Sequence, residues 1–295
     1  MTAAALATEA EAIAAAPERR RSAAAWLVAA ACVAVIAVMA APMALSFLAS
    51  IKTPADASAV PPHYLPQALS FENYQKVIGY EAGLATYVGN SALVALMTIA
   101  ASIALAAPAG YGLARFAMRG KEIAFLVLLA PIMIPYQAIL TPLYLDFAKV
   151  GLVNTHIGLA LVHTILQLPF SVYLMRNSFE AIPREIEEAA MIDGCSAWRR
   201  LTRVFVPLAV PAIVTVALFA FINSWNEFLA ALIFMSRRTS FTVPILLVSV
   251  RAGHHGAVDW GALQASVVIS IIPCLAVYFM LQRYYMSGLL SGAVK

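Results

Sequence analysis

Apolar runs at 23–49, 87–113, 123–145, 156–175, 210–234 and 262–281 alternate along the chain with shorter polar stretches. Each run is close to the roughly 20 residues that an α-helix needs to cross the hydrocarbon core of a bilayer. The pattern predicts an all-α membrane protein with six transmembrane helices. Pro42, Pro108, Pro131, Pro135, Pro169 and Pro273 lie within or beside the runs, which is tolerable in lipid because neighbouring helices satisfy the carbonyls a proline frees. The first run follows Arg19-Arg20-Arg21 and exceeds the roughly 7 to 15 apolar residues of a secretory signal, so it reads as an uncleaved span. Residues 1–22 are then a cytosolic tail, frayed or disordered, and 23–295 the six-span domain.

Among the polar stretches, 177–207 is longer than the roughly 12 to 15 residues beyond which a structureless loop is uncommon. Its charges are arranged for a helix over 183–193. Pro183 suits a first helical position, Glu185, Glu187 and Glu188 sit near the positive end of the helix dipole, and Gly194 suits the left-handed residue that stops a helix. Such a helix, about three turns long, is marginal alone in water, and Ala189-Ala190 offers a smooth surface for a partner to cover. A second helix, 197–204, should lead into the fifth span at Pro207 or Pro211. Two other stretches fall on the opposite side. One, 51–85, contains Phe71-Glu72-Asn73-Tyr74, expected on the membrane surface, and the other, 236–260, reads as a polar loop containing Arg251, His254, His255 and Gly256.

Composition supports the membrane assignment: of 295 residues 62% are hydrophobic and 12% charged, with a mean hydropathy of +0.84, well beyond a soluble domain. The formal charge of +4 does not require nucleic acid. Arg19, Arg20, Arg21, Arg115, Arg119, Lys121, Arg176, Arg184, Arg199, Arg200, Arg203, Arg283 and Lys295 fall on one side, against Lys52, Lys76, Lys149, Arg237, Arg238 and Arg251 on the other. The positive-inside rule then places both termini and 177–207 in the cytoplasm.

Some chemistry can be set aside. Cys32, Cys195 and Cys274 are too dispersed for a disulfide framework or a metal site, and adjacent His254 and His255 point in different directions, so no metal is expected. No nucleophile or metal-hydrolase motif is present, and the chain is not expected to be an enzyme. The one Gly-Lys pair, Gly120-Lys121, has Arg115 and Glu122 where a phosphate-binding loop needs glycine and a hydroxyl residue. Any ATP and Mg must therefore bind to another polypeptide. Within the spans, Asn223 and Glu227 share a helical face with Asn226 beside them, His163 and Gln167 share another, and Gln137 and Gln264 sit in the third and sixth spans. A central carboxylate costs about 2.5 to 3.5 kcal/mol to insert, so these side chains either mark a transport pathway or serve as interhelical hydrogen bonds.

Glu188-Ala189-Ala190, Asp193-Gly194 and Pro207 resemble the EAA loop of permease subunits from binding-protein-dependent ABC importers, with Cys195 where alanine is more usual. Phe71-Glu72-Asn73-Tyr74, Ser224-Trp225-Asn226-Glu227-Phe228, Asp259-Trp260-Gly261 and the ending Ser291-Gly292-Ala293-Val294-Lys295 are similar to the maltose-type carbohydrate branch. The resemblance implies a type I importer permease in a prokaryotic cell membrane. Its partners would be a second permease, two ATPase subunits and an external binding protein that delivers a mono-, di- or oligosaccharide. It further implies that Glu188, Ala189, Ala190, Asp193 and Gly194 dock on the ATPase and move the fourth and fifth spans. Ser291, Gly292 and Ala293, in a tail over 284–295, would reach between the ATPases, and the 236–260 loop would meet the binding protein. Importers of glycerol phosphate or polyols look alike at these motifs. A secondary transporter driven by an ion gradient is disfavoured, since Glu227 is the one good intramembrane acid.

Overall fold

In a computed structural model, which describes residues 23–251 and 258–293 and the side chains of 25–251 and 258–282, the regular elements are helices. One isolated antiparallel bridge, Lys52 to Leu69, is the exception among the described residues. The chain divides into two compact units, Met1–Leu45 and Ser46–Lys295. The first unit carries most of helix α1 (Ala23–Ser50), whose apolar side chains, Trp26, Leu27 and Ile36 among them, are exposed on every side, the surface expected of a helix solvated by lipid.

The second unit contains α2 (Glu72–Ile78), α3 (Leu84–Arg115), α4 (Lys121–Leu129), α5 (Tyr136–Lys149), α6 (His156–Glu180), α7 (Arg184–Ile192), α8 (Val210–Asn226), α9 (Leu229–Phe234), α10 (Val243–Arg251) and α11 (Trp260–Ala293). Helices α3 and α6 form its most extensive pairing. Gly110 lets them close up, because a Cβ there would lie 2.7 Å from Met175 Cβ and 2.8 Å from Arg176 N. Around the pair lie three apolar clusters, one built on Tyr111, Phe179 and Phe205, one on Tyr87, Trp225 and Leu246, and one on Val94, Leu140, Leu159 and Phe234.

Among the described residues four helices, at 25–50, 84–115, 156–180 and 260–282, are long and apolar enough to cross a membrane, and two bent pairs, each taken as one span, raise the number to six. The third span, expected as one helix over 123–145, is instead α4, a 3₁₀ turn over Ala130–Met133 and α5, with a bend of 103°. Pro131 and Pro135 account for this: Ile134, directly before Pro135, is extended at φ −92° and ψ 129°, as the ring of a following proline requires. The fifth span, expected over 210–234, breaks after Asn226, where Glu227 is extended at ψ 121° and α9 begins anew. Upstream, the second helix expected over 197–204 is present and runs on to Leu208, with a π-helical stretch over Leu201–Phe205, before the chain bends by 80° into α8.

The stretch 236–260, expected as a polar loop, contains a packed helix among its described residues. Val243, Pro244, Ile245, Leu246 and Val250 of α10 are buried, and α3 holds the approach to it. Asn90 Nδ2 donates to the carbonyls of Thr239 (2.8 Å) and Phe241 (2.9 Å), and Val243 N donates to Ser91 Oγ (2.8 Å). On the same side α2 is joined to α11. Lys76 Nζ donates to Asp259 Oδ2 at 2.8 Å, and the side chain of Asn73 lies against Gly261, where any Cβ would collide with it. Two segments singled out in the sequence, 71–74 and 259–261, therefore meet.

Candidate functional site

The first site is α7 with its surroundings. Pro183 caps the helix from an extended conformation (ψ 142°) instead of opening it, and the helix is nine residues long. Its end is as expected: Gly194 adopts φ +73°, Gly194 N donates to Met191 O (3.0 Å) and Cys195 N to Ala190 O (3.0 Å), the paired bonds of a Schellman stop. Ala190 is buried, while Glu188, Ala189, Asp193 and Gly194 face outward. So do Met191, Ile192 and Trp198, the last two more than 60% exposed. A mixed charged and apolar surface is thus left uncovered on the short helix.

The inner face of α7 is fixed by Glu187, which the sequence does not distinguish from its neighbour. Tyr111 Oη donates to Glu187 Oε1 (3.0 Å), Arg200 Nε donates to Tyr111 Oη (3.2 Å), and both Arg200 (3.5 Å) and Arg115 (3.8 Å) pair with the Glu187 carboxylate. Arg115 also donates to the carbonyls of Phe179 (2.5 Å) and Ile182 and stacks its guanidinium 4.9 Å from the Phe205 ring centroid. Tyr111 and Arg115 belong to α3. The helix expected to act on the fourth and fifth spans is therefore bonded to the second as well, and through Arg200 to the helix that leads into the fifth. A neighbouring arginine hub, Arg176, pairs with Glu122 and Glu180 at 2.8 Å each and lies over Phe125, tying α4 to the end of α6.

The second site is an open-sided cavity of about 980 Å³ bordered by the bend between α4 and α5, by α6 and by the break between α8 and α9. Gln137, His163, Gln167, Asn223, Asn226 and Glu227 all line it, so six of the seven pathway candidates converge. Gln264 is not among its lining residues: it sits half-buried on α11. Of the aromatic lining, Tyr136, Phe170, Phe219 and Phe228, Phe228 alone lies in a segment noted in the sequence, and none was picked as lining, because aromatic residues in a span read as ordinary packing.

The cavity's polar groups are mostly preoccupied with one another. Glu227 accepts from the N–H groups of Ala230 (2.8 Å) and Ala231 (3.0 Å), two of the unpaired donors in the first turn of α9, and its other contact is His163 Nε2 at 3.4 Å. His163 Nδ1 bonds Ser224 Oγ (2.8 Å), and Asn223 Nδ2 donates to Gln167 Oε1 (2.7 Å). The packing role weighed for these residues is thus present, and the lining role with it. Gln167 Nε2 is buried with no hydrogen-bond partner among the described residues. No lysine or arginine among the described residues lines the cavity. A chamber that sets amide groups and the Glu227–His163 pair among aromatic and aliphatic side chains can bind hydroxyl groups and stack on the apolar face of a ring.

Of the other expected positions, Arg251 ends α10 and is exposed, while His254, His255 and Gly256 lie outside the described residues. The tail expected over 284–295 continues α11 to Ala293, so Ser291, Gly292 and Ala293 close that helix. No cluster of potential metal ligands is found among the described residues.

A family model described as the inner membrane component of binding-protein-dependent transport systems matches residues 102–290. The chain is 35% identical over 231 residues to a probable ABC transporter permease of Bacillus subtilis, covering 78% of this chain and 76% of that protein. It is 32% identical over 227 residues to a trehalose/maltose transport system permease of Thermococcus litoralis, covering 77% and 81%. A solved bacterial ABC transporter involved in the import of the acidic polysaccharide alginate contains a chain that superposes with a TM-score of 0.76 at 23% identity, covering 91% of this chain and 98% of that one.

Proposed function

Since the chain belongs to the family of inner membrane components of binding-protein-dependent transport systems, we propose that it is the permease subunit of an ATP-driven importer that carries a mono-, di- or oligosaccharide. The observation that carries the sugar assignment is the cavity, about 980 Å³, where four amide side chains and the Glu227–His163 pair stand among four aromatic rings, with no lysine or arginine among the described residues that line it. Relatives named for trehalose/maltose and diacetylchitobiose uptake support it. In this reading a second permease completes the pathway, an external binding protein delivers the sugar, and two ATPase subunits bind ATP and Mg.

The uncovered face of α7 is the surface the ATPase would grip, through Glu188, Ala189, Asp193 and Gly194. Closure of the ATPases would press on α7, and the Glu187 network would carry the displacement into α3 before it reaches the cavity-lining helices. The arginine bias across the loops supports a cytoplasmic position for this face and for both termini. Reconstitution of all the subunits in vesicles should give ATP-dependent uptake of a sugar that the binding protein binds. Glu188→Lys should abolish uptake in that system without dissociating the two permeases. Uptake by this chain alone on an ion gradient would overturn the proposal.

A further inference from the structure

The segment between the end of α1 and the start of α2 reverses the arrangement of a water-exposed loop. From Ala57 to Phe71 it contains no Asp, Glu, Lys or Arg. The two charged residues just before, Lys52 and Asp56, are buried. Lys52 Nζ donates to the carbonyl of His63. Asp56 accepts from Gln67 N (3.0 Å) and bonds His63 Nδ1 (2.9 Å), and the Gln67 N–H, with His63 and Lys52 assisting, holds its pKa below the ordinary aspartate value. Val60, Tyr64, Leu65, Leu69 and Phe71 point outward, each at least 66% exposed.

This surface is held rigid. Ser70 N donates to Ile51 O (2.8 Å), and Asn73 Nδ2, fully buried, donates to the carbonyls of Ser50 (3.1 Å) and Lys52 (2.7 Å). Ser50 Oγ and Tyr74 Oη are 2.8 Å apart. At Ser50 the segment continues directly from a span whose last turn presents exposed Phe47. A second span, α3, starts shortly after α2, and its far end, at Arg115, is the one bonded to α7.

We infer that residues 57–71 are an interfacial anchor, a preformed apolar platform lying in the headgroup layer of the leaflet away from α7. Tyr64 and Phe71 sit at the depth that aromatic belts occupy, and Lys52 and Asp56 act as internal struts that hold the platform's shape. Lipid is the occupant favoured, because the outward surface is uncharged, aromatic-containing and continuous with a lipid-facing helix. A protein partner would be expected to meet some charge at its rim. The anchor rests on membrane insertion and is independent of the cargo, so it can fail without the sugar assignment failing.

The test uses the assembled importer in nanodiscs of phosphatidylcholine and phosphatidylglycerol. Nitroxide labels are placed singly through Tyr64→Cys, Leu65→Cys and Leu69→Cys in a chain whose Cys32, Cys195 and Cys274 are replaced by serine, with Lys149→Cys as the aqueous reference. Relaxation by oxygen relative to a water-soluble nickel complex should be several-fold higher at the three sites than at position 149, and unchanged when the binding protein is added. A ratio equal to the reference, meaning water, or shielding from both reagents, meaning a protein cover, would overturn the anchor. Should the serine background fail to assemble, Tyr64→Trp in the native chain gives the same answer. Its added fluorescence should be quenched by lipids brominated near the headgroup, and lack of quenching counts against the platform.

Discussion

Two adjacent glutamates on α7 do opposite things. Glu187 is enclosed by Tyr111, Arg115 and Arg200, whereas Glu188 faces outward. Removing one partner of a largely buried ion pair costs about 3–5 kcal/mol because the other charges stay buried. Glu187→Gln should accordingly lower the melting temperature of the assembled importer and speed hydrogen exchange through 177–207. Glu188→Gln, at the surface, should shift stability by no more than about 0.5 kcal/mol. Indistinguishable melting curves for the two variants would show that Glu187 is not the joint described. At the other end of the unit, Asp259 is partly desolvated, which raises its pKa, but the hydrogen bond from Lys76 and the N–H groups of Ala262 and Gly261 outweigh this and hold it below the ordinary aspartate value. A carboxyl with a depressed folded pKa stabilises above its unfolded value and loses that contribution as pH falls through the folded one. Asp259→Asn should therefore melt earlier than the parent at pH 7, and the difference should vanish in acid below the ordinary aspartate range. A difference that persists there would mean that the Lys76 bond is not its source.

At the scale of elements, close helix contact and helix breaks define the cavity. Gly110→Val would drive methyl groups into Met175 and Arg176 N, an overpacking worth about 1–3 kcal/mol, and should separate α3 from α6. A cross-linking distance across that pair unchanged from the parent would refute the contact. The sequence shows where spans lie because length and hydropathy are local. It also shows where α7 stops, because the left-handed Gly194 is a local requirement. The bend at Pro131 and Pro135 was visible as prolines but not as an angle, since in lipid a proline is as compatible with a shallow kink as with a turn. Glu227 is the most instructive case. Read as an isolated intramembrane acid, it instead accepts through its carboxylate from the N–H groups of Ala230 and Ala231 at the start of α9, which needs a break in the span that apolar periodicity does not reveal. The packed helix α10 was hidden for the reverse reason, because arginines on either side made a short apolar segment look like part of a polar loop.

At the scale of the whole unit, α3 is the element that touches each working part. Its last turn holds α7 through Tyr111 and Arg115, its middle meets the cavity's Ser224 through Thr98 at 3.5 Å, and its first turns hold the approach to α10 through Asn90 and Ser91. No sequence pattern could show this, since the bonded residues are 76 positions apart at Tyr111–Glu187 and 89 at Tyr111–Arg200. A rigid helix of 32 residues, about 48 Å long at 1.5 Å per residue, transmits displacement only if its grip on α7 holds. Tyr111→Phe keeps the ring in its cluster with Phe179 and Phe205 but deletes both hydroxyl hydrogen bonds. Hydrogen bonds to charged groups contribute about 1.5–3 kcal/mol each, and a tenfold change in a coupled equilibrium needs about 1.4 kcal/mol. The reconstituted variant should keep its ATPase activity while sugar carried per ATP hydrolysed falls about tenfold or more. Loss of both activities in parallel would assign Tyr111 to assembly, and an unchanged ratio would mean that α7 drives the cavity by a route that does not pass through α3.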